Sequence, residues 1–280
     1  MMMKKLTVLI VLILLWQSSF AGGGWVKALG EGYLKFSQSV IRADRFYNPN
    51  GDEINITTVS LYTTSLYGEY GITDRLTGIV YLPVFVRTTL NDVRFRQSGD
   101  VLPGDELNSI GDAEIGLKYG FNQEGPVVVA ASLILGLPIG EDQGGESGIL
   151  QTGDGEFNQK VLIEASRSID NWYISALAGF NNRTQDFSDE LHLGLEVGYV
   201  QERIVGLVKL RNVSSFNNGD AGSAAGNTIF SNNTEFLSVA PEINYRIGQS
   251  FGVSASAAFA FSGQNVLASP NYSLGVYLTW

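Results

Sequence analysis

From about residue 30 to the end, apolar side chains alternate with small or polar ones in segments roughly a dozen residues long. At the C-terminus Tyr272, Leu274, Val276, Leu278 and Trp280 alternate with Ser273, Gly275, Tyr277 and Thr279; just before, Phe251, Val253, Ala255, Ala257, Phe259 and Phe261 alternate with Gly252, Ser254, Ser256, Ala258, Ala260 and Ser262. Side chains two apart share one face of a strand, so each segment carries one apolar face and one small or polar face. Strands of soluble sandwiches average about 5–6 residues, whereas a tilted strand crossing a bilayer takes about 9–11. The spacing predicts twelve strands, near 30–47, 54–70, 75–88, 110–121, 127–140, 157–169, 172–184, 189–201, 203–216, 233–247, 251–263 and 270–280.

The links alternate in length. Gly71-Ile72-Thr73-Asp74, Asn122 to Pro126, Asp170-Asn171, Glu202-Arg203 and Gly248-Gln249-Ser250 are short turns, while 48–53, 89–109, 141–156, 185–188, 217–232 and 264–269 are mostly longer, loose and polar. An even strand count with this alternation predicts an all-β fold, a transmembrane antiparallel up-and-down β-barrel of twelve strands. It belongs in the outer membrane of a Gram-negative cell, with both termini on the short-turn, periplasmic side. Aromatics support this placement. Tyr70, Tyr119, Phe121, Trp172, Tyr199, Tyr245, Phe251 and Trp280 sit near the short turns, and Tyr47, Phe85, Phe157, Phe180, Phe216 and Tyr272 near the long loops. Two such rows match the interfacial girdles of membrane barrels.

The N-terminus reads differently. Lys4 and Lys5 precede an apolar run from Leu6 to Trp16, followed by Ser19-Phe20-Ala21 with small residues at the −3 and −1 positions. This pattern predicts a signal peptide over 1–21 and a mature barrel over 22–280. An uncleaved anchor is the alternative, but the run is short of the about 20 residues a spanning helix needs. No later stretch approaches 18 apolar residues, so spanning helices are not expected. Composition fits a barrel: 33 Gly, 15 Phe, 12 Tyr and only 16% charged residues, against about 25% in average proteins. The net charge of −10 argues against nucleic acid, which calls for a basic footprint. Absence of cysteine excludes a lipid-acylated cysteine.

Placing the apolar set against lipid turns a group of ionisable residues inward: Glu31, Lys35, Glu69, Asp112, Glu114, Lys118, Lys160, Glu164, His192, Glu196, Lys209, Arg211, Glu242 and Arg246. Arg or Lys facing mid-depth lipid costs about 2–4 kcal/mol, so the lumen is their home. Acids and bases nearly balance, which points to paired residues; pairing of buried charges is required of a purely structural interior as well. In the second and third strands the faces do not separate, because Leu61, Tyr62, Ile79, Val80, Leu82, Pro83, Val84 and Phe85 make both apolar.

Catalytic patterns are weak. His192 is the only histidine, which excludes a two-histidine metal site. It is followed by Leu193 and Gly194, without the serine two residues on that twelve-stranded outer-membrane phospholipases carry. Gly144-Gly145-Glu146-Ser147-Gly148 lacks the G-x-S-x-G spacing. No enzyme activity and no cofactor are expected. Glu141, Asp142, Glu146, Asp154 and Glu156 in loop 141–156 could supply oxygen ligands to Ca²⁺, without EF-hand spacing; a solvated loop is the other reading.

Three stretches carry a family resemblance: Tyr67-Gly68-Glu69-Tyr70-Gly71-Ile72-Thr73-Asp74-Arg75-Leu76, Gly111-Asp112-Ala113-Glu114-Ile115-Gly116-Leu117-Lys118-Tyr119 and Gly136-Leu137-Pro138-Ile139-Gly140. The chain from about residue 30 onward resembles the barrel family labelled "putative MetA-pathway of phenol degradation". The resemblance implies uptake of aromatic compounds across the outer membrane and brings no catalytic residues with it. Tyr272, Leu274, Val276, Leu278 and Trp280 resemble the terminal signal read by the barrel insertion machinery, with Trp where Phe is usual. Besides that machinery, the expected partners are outer-membrane lipid and a small-molecule solute of unknown identity. Two functions follow: a passive channel for small, hydrophobic or aromatic solutes, or a non-transporting barrel presenting loops for structure or adhesion. Twelve strands lie between side-chain-filled eight-stranded barrels and open porins of 16–18 strands.

Overall fold

The computed structural model describes residues 23–220 and 230–280. The predicted signal peptide with its cleavage site, and part of the 217–232 link, lie outside the described residues. Twelve long strands form one closed antiparallel sheet: β1 (Gly32–Tyr47), β2 (Glu53–Thr73), β3 (Leu76–Leu90), β4 (Ala113–Asn122), β5 (Val128–Leu137), β6 (Asn158–Ile169), β7 (Trp172–Arg183), β8 (Glu190–Gln201), β9 (Ile204–Ser215), β10 (Glu235–Arg246), β11 (Phe251–Gln264) and β12 (Asn271–Thr279). Each pairs with its neighbours in sequence, and β1 pairs with both β2 and β12, which closes the ring. Gly32 and Trp280 complete the seam through two backbone hydrogen bonds of 3.0 and 3.2 Å. Closure leaves no unpaired edge, the condition for a sheet in hydrocarbon. Among the described residues there is no helix.

Period two survives in the packing. Along β8, Leu191, Leu193, Leu195 and Val197 are exposed while Glu190 and Gly198 are buried. Along β12, Tyr272, Leu274, Val276, Leu278 and Trp280 are all exposed, and Tyr277 is 2% exposed. In a soluble protein so large a contiguous apolar surface would be anomalous; around a closed barrel it is the face that lipid covers.

The ambiguity in the second and third strands has a local cause. Thr64 pairs with Phe85 and Leu66 with Leu82, so Pro83 and Val84 together stand opposite Ser65. That β-bulge shifts the phase of β3. Below it Thr77 is buried and Val80 exposed; above it Val86 and Thr88 are buried, while Phe85 and Arg87 are exposed. A fixed two-residue alternation therefore assigns one half of the strand wrongly.

Several links are more ordered than loose polar segments. Gly71 to Thr73 belong to β2, so the turn there shrinks to Asp74-Arg75. Within 89–109, Val93–Arg94 pairs with Val101–Leu102, and Asp105–Ser109 pairs with Leu90 to Val86, raising the barrel wall above the girdle. Within 264–269, Val266–Leu267 pairs with Phe46 and Tyr47.

Candidate functional site in the barrel interior

Ion pairs that skip a strand identify the concave face, because such side chains meet only across the inside. Lys118 on β4 reaches Glu164 on β6 at 2.7 Å, and Lys160 on β6 reaches Glu114 on β4 at 2.5 Å, with β5 between them. Lys35 on β1 reaches Glu242 on β10 at 3.2 Å, passing β12 and β11. Its route crosses Gly275, where an added Cβ would lie 2.9 Å from the Lys35 Cε. Glu242 also accepts from Lys209 at 2.9 Å, and Lys209 lies 4.0 Å from Glu196. His192 Nε2 lies 2.9 Å from Glu190.

Three of the sequence-predicted residues stand at the barrel ends. Glu31 is exposed ahead of β1. The Arg246 guanidinium donates to the Glu202 carbonyl at 2.9 Å, tying it to a short turn. Asp112 accepts from the Gly140 and Asp154 amides at 2.8 and 2.7 Å on the long-loop side. Burial pushes its carboxyl up to about 6 against those two hydrogen bonds.

The short-turn end is filled by a segment that strand patterning does not reveal. Residues 23–27 run inside the barrel as an irregular strap, and exposed residues 28–30 carry it past the Gly71 and Asp74 end to β1. The Gly24 amide donates to Ser166 Oγ at 2.8 Å, Lys118 Nζ to the Gly23 carbonyl at 2.7 Å, and the Lys27 amide to Thr77 Oγ1 at 2.8 Å. Gln123 holds the strap at both Val26 and Gly24. The Lys27 ammonium lies 3.7 Å from Glu69 and over the Tyr33 ring at 5.8 Å. Trp25 packs edge-on against Tyr173, ring centroids 5.8 Å apart, and against Val205 and Leu207. A second group of inward rings lies at Lys27: Tyr33 stacks on Tyr277 at 5.7 Å and meets Tyr67 edge-on at 6.2 Å. Glycines make room for them. A Cβ on Gly198 would lie 2.1 Å from Tyr173, and one on Gly252 would lie 2.2 Å from Tyr277.

The long-loop end is covered as well. Thr88 Oγ1 donates to the Gln151 carbonyl at 2.7 Å, Asn265 Nδ2 to the Asn232 carbonyl at 3.2 Å, and the Ser188 amide to Asn232 Oδ1 at 2.9 Å. Arg183 is clamped by Glu156 at 2.5 Å, Glu190 at 2.9 Å and Asp154 at 3.0 Å. This use of Asp154 and Glu156 gives both an ion-pair role, and among the described residues no acidic group has metal-binding geometry. Between the closures the mid-depth inward residues stay accessible. Ser37, Ser39, Thr63, Glu114, Lys160, Ser238 and Ser256 are half-buried, and Arg211 is exposed.

Sequence reasoning missed Arg183 and Glu190 although period two from Asn181 and His192 places both inward. Lys27 and Trp25 precede the first strand, and no periodicity marks them.

The fold has known counterparts. The chain is similar to the COG4313 outer membrane channel from Pseudomonas putida F1, with a TM-score of 0.63 at 12% identity over 93% of this chain and 99% of that one. It is also similar to the translocator domain of the autotransporter NalP from Neisseria meningitidis, with a TM-score of 0.52 at 12% identity over 91% and 89% of the two chains. No protein-family model and no curated protein matches the sequence.

Proposed function

We propose that this chain is a passive channel for small solutes in the outer membrane of a Gram-negative cell. The observation that carries the reading is the mid-depth chamber: inside a closed barrel of membrane length, polar side chains remain accessible instead of filling the space. Fold-level likeness to an outer membrane channel agrees with it but does not supply a substrate. The exposed apolar belt meets outer-membrane lipid, both termini lie in the periplasm, and the C-terminal strand is the segment read by the insertion machinery. Membership of the family labelled "putative MetA-pathway of phenol degradation" belongs to the same proposal. The inward rings at the strap, Trp25 with Tyr173 and Tyr33 with Tyr67 and Tyr277, suit aromatic solutes, since ring pairs are favourable by about 0.5–1.5 kcal/mol beyond their burial.

Refolded protein in planar bilayers should give discrete conductance steps, and in liposomes should admit small solutes. Well-folded, heat-modifiable protein that gives neither would refute the channel. One observation favours the alternative, a non-transporting barrel: both ends are covered, by the strap and by the Gln151, Ser188, Asn232 and Asn265 loops. The readings separate on removal of residues 23–27, which raises conductance in a gated channel and leaves a sealed barrel silent.

A further inference from the structure

Charge in the interior is almost entirely cancelled at contact distance. Lys35, Lys118, Lys160, Lys209, Arg183 and Lys27 each have a carboxylate within ion-pair reach. Arg211 is different. It lies on the same face of β9 as Lys209, and among the described residues no carboxylate is within ion-pair reach of it and no hydrogen bond of its side chain is found. It is exposed at mid-depth in the chamber, opposite Gly194 on β8 and Ser238 on β10, neither of which can offer a counter-charge. Glu164 and Glu196 border, together with Arg211, a small cavity of about 30 Å³, which leaves the open chamber as the side from which an organic anion reaches the guanidinium. Glu164 is paired with Lys118 at 2.7 Å, and Glu196 accepts from the Tyr173 hydroxyl at 2.7 Å and faces Lys209 at 4.0 Å; neither is within ion-pair reach of Arg211.

The surroundings define what could complete this group. Leu177 lines the same cavity, and Leu162 and Ala240 share the inward phase of their strands at the same mid-depth. The guanidinium carries forked donors that match a carboxylate bidentately. A narrow lumen screens an unpaired charge less than bulk water does. We propose that Arg211 is the recognition group for a small organic anion, a carboxylate on an apolar body, held at mid-depth in the chamber. This inference rests on the channel reading for its route of entry, but the site itself can be tested at equilibrium.

Benzoate serves as the probe. Calorimetric titration of the folded, full-length mature barrel in detergent should show one benzoate site. Arg211→Gln should weaken it about tenfold or more, the range expected for a lost charge-assisted hydrogen bond, while Arg211→Lys should retain part of the affinity. Benzyl alcohol, with the same ring and no charge, should not compete. In bilayers, Arg211→Gln should lower anion over cation preference, read as a shift in reversal potential across a KCl gradient. Unchanged benzoate binding in Arg211→Gln, or no binding to the parent protein, overturns the anion site whatever the conductance. Absent conductance with intact, Arg211-dependent binding overturns the channel and leaves the site standing.

Discussion

Replacing Lys118 with Met tests the interior most sharply, because this lysine serves two functions at once. Its side chain is 7% exposed, pairs with Glu164 at 2.7 Å and donates to the Gly23 carbonyl at 2.7 Å. Methionine keeps the length and removes the charge, leaving a carboxylate that is only 8% exposed without its cation. Breaking a buried pair from one side costs about 3–5 kcal/mol, whereas replacing both partners by neutral groups of similar volume is often near neutral. Lys118→Met should thus lower the folding constant by roughly a hundredfold to several thousandfold. The double variant Lys118→Met/Glu164→Gln should return to within about 1 kcal/mol of the parent. Urea unfolding in lipid vesicles, followed by tryptophan fluorescence and heat-modifiable migration, measures all corners of the cycle. The strap supplies a separate readout, since the double variant restores the charge balance but not the bond to Gly23. Trypsin should then cut after Lys27 faster than in the parent although global stability has recovered. A single variant within about 1 kcal/mol of the parent, or a coupling energy below that, would show that the pair is not buried as described.

Other perturbations probe the remaining links. Leu117 is 50% exposed on the lipid face, so Leu117→Lys should cost about 2–4 kcal/mol and lower insertion; Glu114→Lys, set against Lys160, should instead shift ion preference in bilayers, and equal insertion of both variants would overturn the face assignment. Trp280→Asp should reduce the amount of folded barrel in outer membranes, because the indole covers Gly32, where an added Cβ would lie 2.1 Å from its Cζ2; undiminished yield would remove Trp280 from the proposed assembly signal. The folded rim binds the Asp112 proton more tightly than the unfolded chain does. Its stabilising contribution is complete below the ordinary aspartate range near ~3.9 and is lost as pH rises through about 6. Stability to urea in lipid vesicles should fall over that window, and by less in Asp112→Asn; an equal fall in both would take the effect away from Asp112. Tags in 141–156 should be reachable on intact cells and a tag at Asp170-Asn171 only after the outer membrane is opened; the reverse would invert the proposed orientation.

Much of the architecture is written locally. Alternation in Tyr272 to Trp280 or Leu191 to Val197 specifies strand and faces together, because the pleat itself has period two. Membrane length and the alternation of short and long links then specify an even, closed, up-and-down barrel, so twelve strands were legible without any tertiary information. What periodicity could not specify depends on partners distant in sequence. It cannot tell that Lys35 crosses Gly275 to meet Glu242, because that pairing depends on barrel stagger and closure. It misreads β3, where the Pro83-Val84 bulge changes phase against Ser65 in a strand apolar on both faces. It gives no account of Gly23 to Gly30, whose irregular backbone satisfies its hydrogen bonds with Ser166, Thr77, Gln123 and Lys118 from three different strands and a turn. Arg211 reads in sequence as one inward cation among several. Only the assembled interior distinguishes it, because a charge is unpaired by virtue of where every other charge has gone.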